Sequence, residues 1–427
     1  MAGSFGDRVA RGVTFWGTVG AVMTALKLKE RYGDYSHLPN DEDGLRQGPV
    51  ALQNPDLDEE AADRSSLLDT TLQIGCGLFW KAFGIVLLLF LGYQAIRLAI
   101  WAAKPKPTGL EGMPEFSKSL GCSDAPHFYN GTKMEITIPV GLHKDDHSLD
   151  MRGGAVGTII LAQGEADLKD VKYELSMRTD KESLLDIVTL VYPTQKEIND
   201  NLQASRLQLS TPRNLESGCM RFDVTIYLPP TLRTLHLQAH ALTQIKVDPD
   251  SNINLDKFSV TMYKLDTRNM LLPSEGLHAR TMKLQVTRGW LVGDVTIVDE
   301  ASLMTQNGDA TLNVRVHPAP SSVEPPAPAK LLRSSGAGRA DVFWVNHPGL
   351  SHRPIDATHH SSMRGKLYLT YGDAAFNGTV DLSAKSFSAT GLHNSFHQED
   401  AGPAWVGSRE GPDRMLAKAQ GWAGLYF

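Results

Sequence analysis

Four histidines and one aspartate, His347, His352, Asp356, His359 and His360, fall within fourteen residues near the C-terminus. Imidazole and carboxylate are ligand types that zinc takes. Their spacing matches no zinc motif such as His-Glu-x-x-His. The segment NHPGLSHRPIDATHHSSM also holds two prolines and reads as a solvated polar loop, so no metal is expected. Asp299-Glu300 is a carboxylate pair of the kind glycosidases use, but nothing in its surroundings marks it as one. Gly153-Gly154-Ala155-Val156-Gly157 precedes an apolar strand, whereas a dinucleotide fingerprint follows a strand and opens a helix. It therefore reads as a turn, and no cofactor is expected. No G-x-S-x-G elbow is present. Trp290, Trp344, Trp405 and Trp422 could stack on sugars, although packing is the commoner use of Trp. No catalytic residue is assigned.

Two further residue types act through covalent modification. Asn130-Gly131-Thr132 and Asn377-Gly378-Thr379 are sequons, which makes Asn130 and Asn377 glycosylation candidates. Cys122 and Cys219 fit one disulfide in an oxidising compartment and fit two buried thiols equally well. Cys76 lies at the start of an apolar run, where it is either a lipid-acylation site or, more plainly, a small apolar residue.

That run, Ile74 to Ala103, is the element that must position everything else. It is about 45 Å long as a helix, enough to cross a bilayer. Its only charges are Lys81 and Arg97, placed so that each snorkels to its own headgroup layer. Trp80 and Trp101 sit where interfacial aromatics belong. Residues 1–73 carry 7 Lys/Arg and 12 Asp/Glu, and residues 104–427 carry 33 and 36. The net charge of −6 gives no reason to expect a nucleic-acid partner. The lipid bilayer is the partner this run implies.

The remaining organisation follows from texture. Residues 1–73 read as a disordered tail with a short basic-flanked helix between Gly12 and Leu26. A Pro/Gly linker spans 104–121. From 122 to 316 come short alternating runs such as FDVTIYL, which predict strands. Between Leu232 and Val316 four such segments begin roughly 20–25 residues apart, a solenoid-type repeat. The segment 317–340 reads as a Pro/Ala/Ser-rich linker with no central strand. A C-terminal β extension occupies 341–427, and its last residues, Trp422 to Phe427, are expected to cover the open end of the stack. Thr194–Leu207 and Pro412–Gln420 are the candidate short helices. The fold class is thus mainly β, a stacked solenoid-like β-repeat domain behind one transmembrane helix.

The run YLPPTLRTLHLQAHALTQIKV, followed by VTRGWLVGDVTI and ASLMTQNGDATLNV, resembles an adhesin-type β-repeat family of unknown function. With its tail and single anchor the chain also resembles uncharacterised fungal single-pass membrane proteins. The resemblance covers about residues 220–316, echoes at 365–391, and brings no catalytic residues. It implies an adhesion or interaction module that binds a glycan or protein ligand. A membrane-anchored glycan-modifying hydrolase on a β-solenoid is the alternative. A mitochondrial inner-membrane protein is a third reading, prompted by the basic N-terminus. Sequon placement sets the N-terminus in the cytoplasm and the C-terminal domain in a lumen or outside the cell. The basic flank of Arg97, Lys104 and Lys106 argues the other way.

Overall fold

The structure is a computed structural model. It describes residues 64–103, 108–140, 146–200, 204–215, 218–305, 310–321, 323–346, 349, 351–393 and 403–427, with side chains in the first stretch from 80 to 100. The chain divides into two units, Met1–Lys106 and Pro107–Phe427.

In the first unit, helix α1 (Arg64–Ala103) is 40 residues long. It starts before the apolar run, so residues 64–73, expected to be disordered, are helical. The rest of the tail lies outside the described residues. The stretch Trp80–Ile100 is long and apolar enough to cross a membrane. Leu88, Leu98 and Ile96 are each more than half exposed.

The second unit is mainly β. It opens with β1 (His127–Phe128), β2 (Met134–Ile138), β3 (Asp146–Arg152), β4 (Val156–Gln163) and β5 (Val171–Thr179). A tight 3-10 turn, Glu182–Ile187, leads to β6 (Thr189–Val191). Helix α2 (Gln195–Asn199), started by a Thr194–Glu197 capping box, leads to β7 (Arg206–Ser210). Next come β8 (Met220–Leu228), β9 (Thr234–Ala239), β10 (Leu242–Val247) and two long strands, β11 (Ile253–Leu272) and β12 (Leu277–Thr305). The remainder is β13 (Thr311–Pro318), β14 (Ala329–Ser335), β15 (Ala340–Trp344), β16 (Ile355–Ser361), β17 (Lys366–Thr370), β18 (Gly378–Thr390), β19 (Ala404–Val406) and β20 (Asp413–Tyr426).

Seven strands pair in parallel as a closed ring, in the order β12, β13, β15, β17, β20, β16, β14 and back to β12. Closure is possible because β12 and β20 are long and bend. The middle of β12 pairs with β13 and its last third with β14. The first half of β20 pairs with β16 and the second with β17. Outside the ring, β11, β9, β3 and β7 extend one line of parallel strands. β10, β4 and β8 extend the other. At the far end β18 pairs with both halves of β20.

Alternation decides which side chains enter the core. In β9, Leu235, Leu237 and Ala239 are buried, while His236 and Gln238 face water. The inward rows of all these strands join in one apolar core. The bends need their own chemistry. Where β11 turns, Asn269 is fully buried and donates through Nδ2 to the carbonyls of Lys264, Asp266 and Arg288. Its Oδ1 accepts from the Thr243 amide. These bonds satisfy carbonyls that a turning strand takes out of the ladder. Beside it, Gly289 has φ +131°, and a Cβ there would lie 2.3 Å from the Asn269 carbonyl. Only glycine fits.

Four expectations are corrected. The 317–340 segment contains β14, which pairs on both sides with β12 and β16. Its prolines are all at or before Pro328, so the strand Ala329–Ser335 keeps every amide donor. The 104–121 linker, from Thr108 onward, is docked instead of free. Arg221 donates to the Ser117 and Gly121 carbonyls at 2.9 and 3.0 Å, and Gln244 holds Ser119 at 2.8 Å. Pro412–Gln420 is strand, because its buried residues Asp413, Met415, Ala417 and Ala419 recur with period two. The C-terminal residues do not cover an open edge; β20 pairs with β16 and β17 on one side and with β18 on the other, and the start of β18 pairs in turn with β19.

Candidate binding cleft

Between Ala319 and Pro328 the chain leaves the ring after β13 and returns at β14. The excursion is built from Pro320, Pro325, Pro326 and Pro328, which limit its conformations. It is held at both ends by one side chain. Arg353, 6% exposed, donates through Nε to the Ala327 carbonyl at 2.7 Å. Its Nη1 donates to the carbonyls of Ala319 at 2.9 Å and Ile297 at 3.3 Å, and its Nη2 to Pro328 at 3.3 Å. Burial pulls this guanidinium below the usual arginine range. Ser321 Oγ organises the interior of the excursion by accepting from the amides of Val323 and Ala327.

Under this excursion lies a cleft of about 440 Å³ with Arg353 at its base. Its rim carries Arg280, Asp299, Glu300 and Lys330, with Val323 from the excursion 54% exposed. Arg280 and Asp299 form an exposed ion pair at 3.2 Å. Such a surface offers both charge signs and one apolar tip. The Asp299 carboxylate is thus within reach of a guanidinium on the same rim. Among the described residues no group of His, Cys, Asp and Glu is arranged to hold a metal ion.

Only the second half of the histidine segment departs from the expected loop: residues 351–354 are coil, and Ile355–Ser361 is strand β16. His359 is fully buried in β16, and its Nε2 bonds the Tyr371 hydroxyl at 2.8 Å. His352 binds the buried Asp413 carboxylate at 3.0 Å, while His360 is exposed. His347 lies outside the described residues. The alternation of β16 sends adjacent His359 and His360 to opposite faces, which disperses the cluster.

The sequons differ sharply. Asn130 is exposed in the turn after β1, with φ +47°. Asn377 is half-buried; its Oδ1 accepts from the Ser408 amide at 2.6 Å and its own amide donates to Asp413. Cys122 and Cys219 are joined as a disulfide with Cα atoms 5.8 Å apart. Trp80, Lys81 and Arg97 are exposed on α1, and the Trp101 side chain lies outside those described. Trp344 is buried against Tyr371, Trp422 packs on Tyr368 and Trp405 lies under Arg409. None of the four tryptophans lines the cleft. Arg353, which shapes it, carries no sequence signal beyond an arginine beside a proline.

No family model and no curated protein matches the chain. Solved structures show a distant likeness. A candidate cell-adhesion protein from Clostridium sporogenes is 10% identical at a TM-score of 0.21, covering 69% of this chain and 98% of its own. A candidate adhesin from Parabacteroides distasonis is 10% identical at 0.30, covering 70% and 98%. A candidate lipid-binding protein from the same organism is 10% identical at 0.25, covering 70% and 98%. Scores this low assign neither fold nor function to the chain.

Proposed function

We propose that this is a single-pass membrane protein displaying a non-catalytic β ectodomain that binds a glycan or protein ligand at the excursion cleft. The observation that carries the membrane reading is α1, with a 21-residue stretch whose large apolar side chains face outward. In water such a surface is unfavourable; in lipid it is required. The parallel strand pairs of the ectodomain support a stacked β-repeat reading of that part. Lys257 lies opposite Thr234, and Trp290 opposite Thr311, each roughly 20–25 residues along the chain, as a solenoid repeat requires. The exposed Asn130 and the Cys122–Cys219 bridge support a secretory-side ectodomain and a cytoplasmic N-terminus.

Binding is the reading the cleft supports, because its rim offers both charge signs and an apolar tip. The test has two arms. In membranes from a glycosylating host, the protein should resist carbonate extraction and lose mass on endoglycosidase treatment. Glycan-array and pull-down screens of the full chain in detergent should then yield a ligand that R280A with K330A weakens. Extraction into carbonate would refute the anchor. Ligand capture unaffected by the rim substitutions would refute the cleft.

A further inference from the structure

A second polar cluster lies inside the ring, far from water. Arg333 in β14 is 2% exposed and points inward in a row that is otherwise Ala329, Leu331 and Ser335. Its register neighbour in β16 is His359, fully buried. Thr305 lies opposite Ser335 on the other side of β14. Across the core, Trp344 stacks on Tyr371 at 5.5 Å, and Tyr371 bonds His359.

The hydrogen bonds of this cluster do not close. Arg333 Nη2 donates to Ser335 Oγ, and Nη1 reaches the His360 carbonyl at 3.4 Å. Arg333 Nε, Thr305 Oγ1, Trp344 Nε1 and His359 Nδ1 are all buried without a partner. The carboxylate whose field reaches Arg333 belongs to Asp341, and both its oxygens are held by Arg339 at 2.7 and 2.8 Å. A buried cation without its own counter-ion is costly, as are orphaned donors. Arg Nε–H and indole N–H can only donate. In the tautomer whose Nε2 accepts from the Tyr371 hydroxyl, His359 Nδ1 carries the proton and donates too. The threonine hydroxyl can rotate to do the same.

We propose that Arg333, His359, Trp344 and Thr305 hold a small monovalent anion of the halide class inside the ring. The chemistry follows from the donor set. Water would bring two protons of its own, whereas Thr305 Oγ1 alone among these orphaned groups can also accept, and water would leave the guanidinium charge uncancelled. A carboxylate or sulfate would bring several oxygens, more than this single layer of donors serves. A halide is all acceptor, has one centre, and cancels the guanidinium charge. Burial also brings Arg333 down to about 9, because the charged guanidinium has lost its water. His359 is brought to about 3 by burial and by Arg333, so it enters the site neutral.

The test uses the full chain in detergent at constant ionic strength, replacing sodium gluconate by sodium bromide. The melting temperature should rise by about 2–4 °C over 100 mM bromide. Sulfate at equal ionic strength should not reproduce the rise. R333M should lose the bromide dependence. If R333M does not fold, anomalous diffraction from native crystals grown in bromide decides the matter. A bromide peak within hydrogen-bonding distance of Arg333 Nε is expected. No peak at Arg333, or a melting temperature indifferent to bromide, overturns the site.

Discussion

Replacing Arg353 by alanine should release the proline-rich excursion while leaving the ring folded. Four carbonyls, of Ile297, Ala319, Ala327 and Pro328, lose their donor. Two of the bonds, at 2.7 and 2.9 Å, have good geometry, and two at 3.3 Å are weaker. A hydrogen bond from a charged donor is worth about 1.5–3 kcal/mol net. The guanidinium loses solvation on burial, which lowers its pKa and offsets part of that gain. A net loss of about 3 kcal/mol is therefore expected, or about a hundredfold more frequent opening of the excursion. The readout is native-state hydrogen exchange at three amides: Ala319, bonded to the Ile297 carbonyl at 2.9 Å, and Val323 and Ala327, bonded to Ser321 Oγ. Their protection should fall about a hundredfold in R353A and nearly as far in R353M, which keeps the stem without the donors. Amides in β9 and β11 should not change, because the opening is local. Protection of Ala319 and Ala327 within about threefold of the native value would refute the idea that Arg353 holds the excursion.

Other expectations follow from single contacts. Serine at both Cys122 and Cys219 should lower stability by about 4–5 kcal/mol in chemical unfolding, since the bridge closes a separation of 97 residues; an unchanged midpoint would mean the bridge is not formed. In a glycosylating host N130Q should abolish the endoglycosidase shift, whereas N377Q should keep it and cost about 1 kcal/mol by freeing the Ser408 amide. His147 and His359 are each held by burial at about 3, against 6.5 unfolded. The unfolded chain binds more protons, so stability is full above pH 6.5 and falls as pH drops toward 3. Together they give about 2.7 kcal/mol per pH unit below pH 5.5. Urea titrations at pH 5.5 and 4.5 should show that slope, and H147Q should halve it.

The legible parts of this chain were those written in local composition. A run of apolar residues with two bounding cations predicts a long apolar helix from residues alone, and α1 contains it. Period-two alternation likewise predicts the strands around Phe222–Leu228 and Thr234–Gln238, because each side of a strand must match its own environment. Misreadings came where a short strand sat beside prolines or polar residues. Ala329–Ser335 was hidden behind five prolines and carries an inward arginine. Ile355–Ser361 reads IDATHHS, mostly polar after its first residue, yet it buries Ile355, Ala357, His359 and Ser361.

What sequence alone determined, then, was which segments are apolar, which alternate, and which asparagines and cysteines could be modified. The tertiary structure decided the rest. It separated Asn130 from Asn377 by exposure, and brought Cys122 to Cys219. It placed β20 between β17 and β18, set Arg353 against the carbonyls of the excursion and buried Arg333 in the core. The physical reason is that parallel strands pair only through long connections. The neighbours of a residue are therefore set by register between distant segments, which no local pattern records.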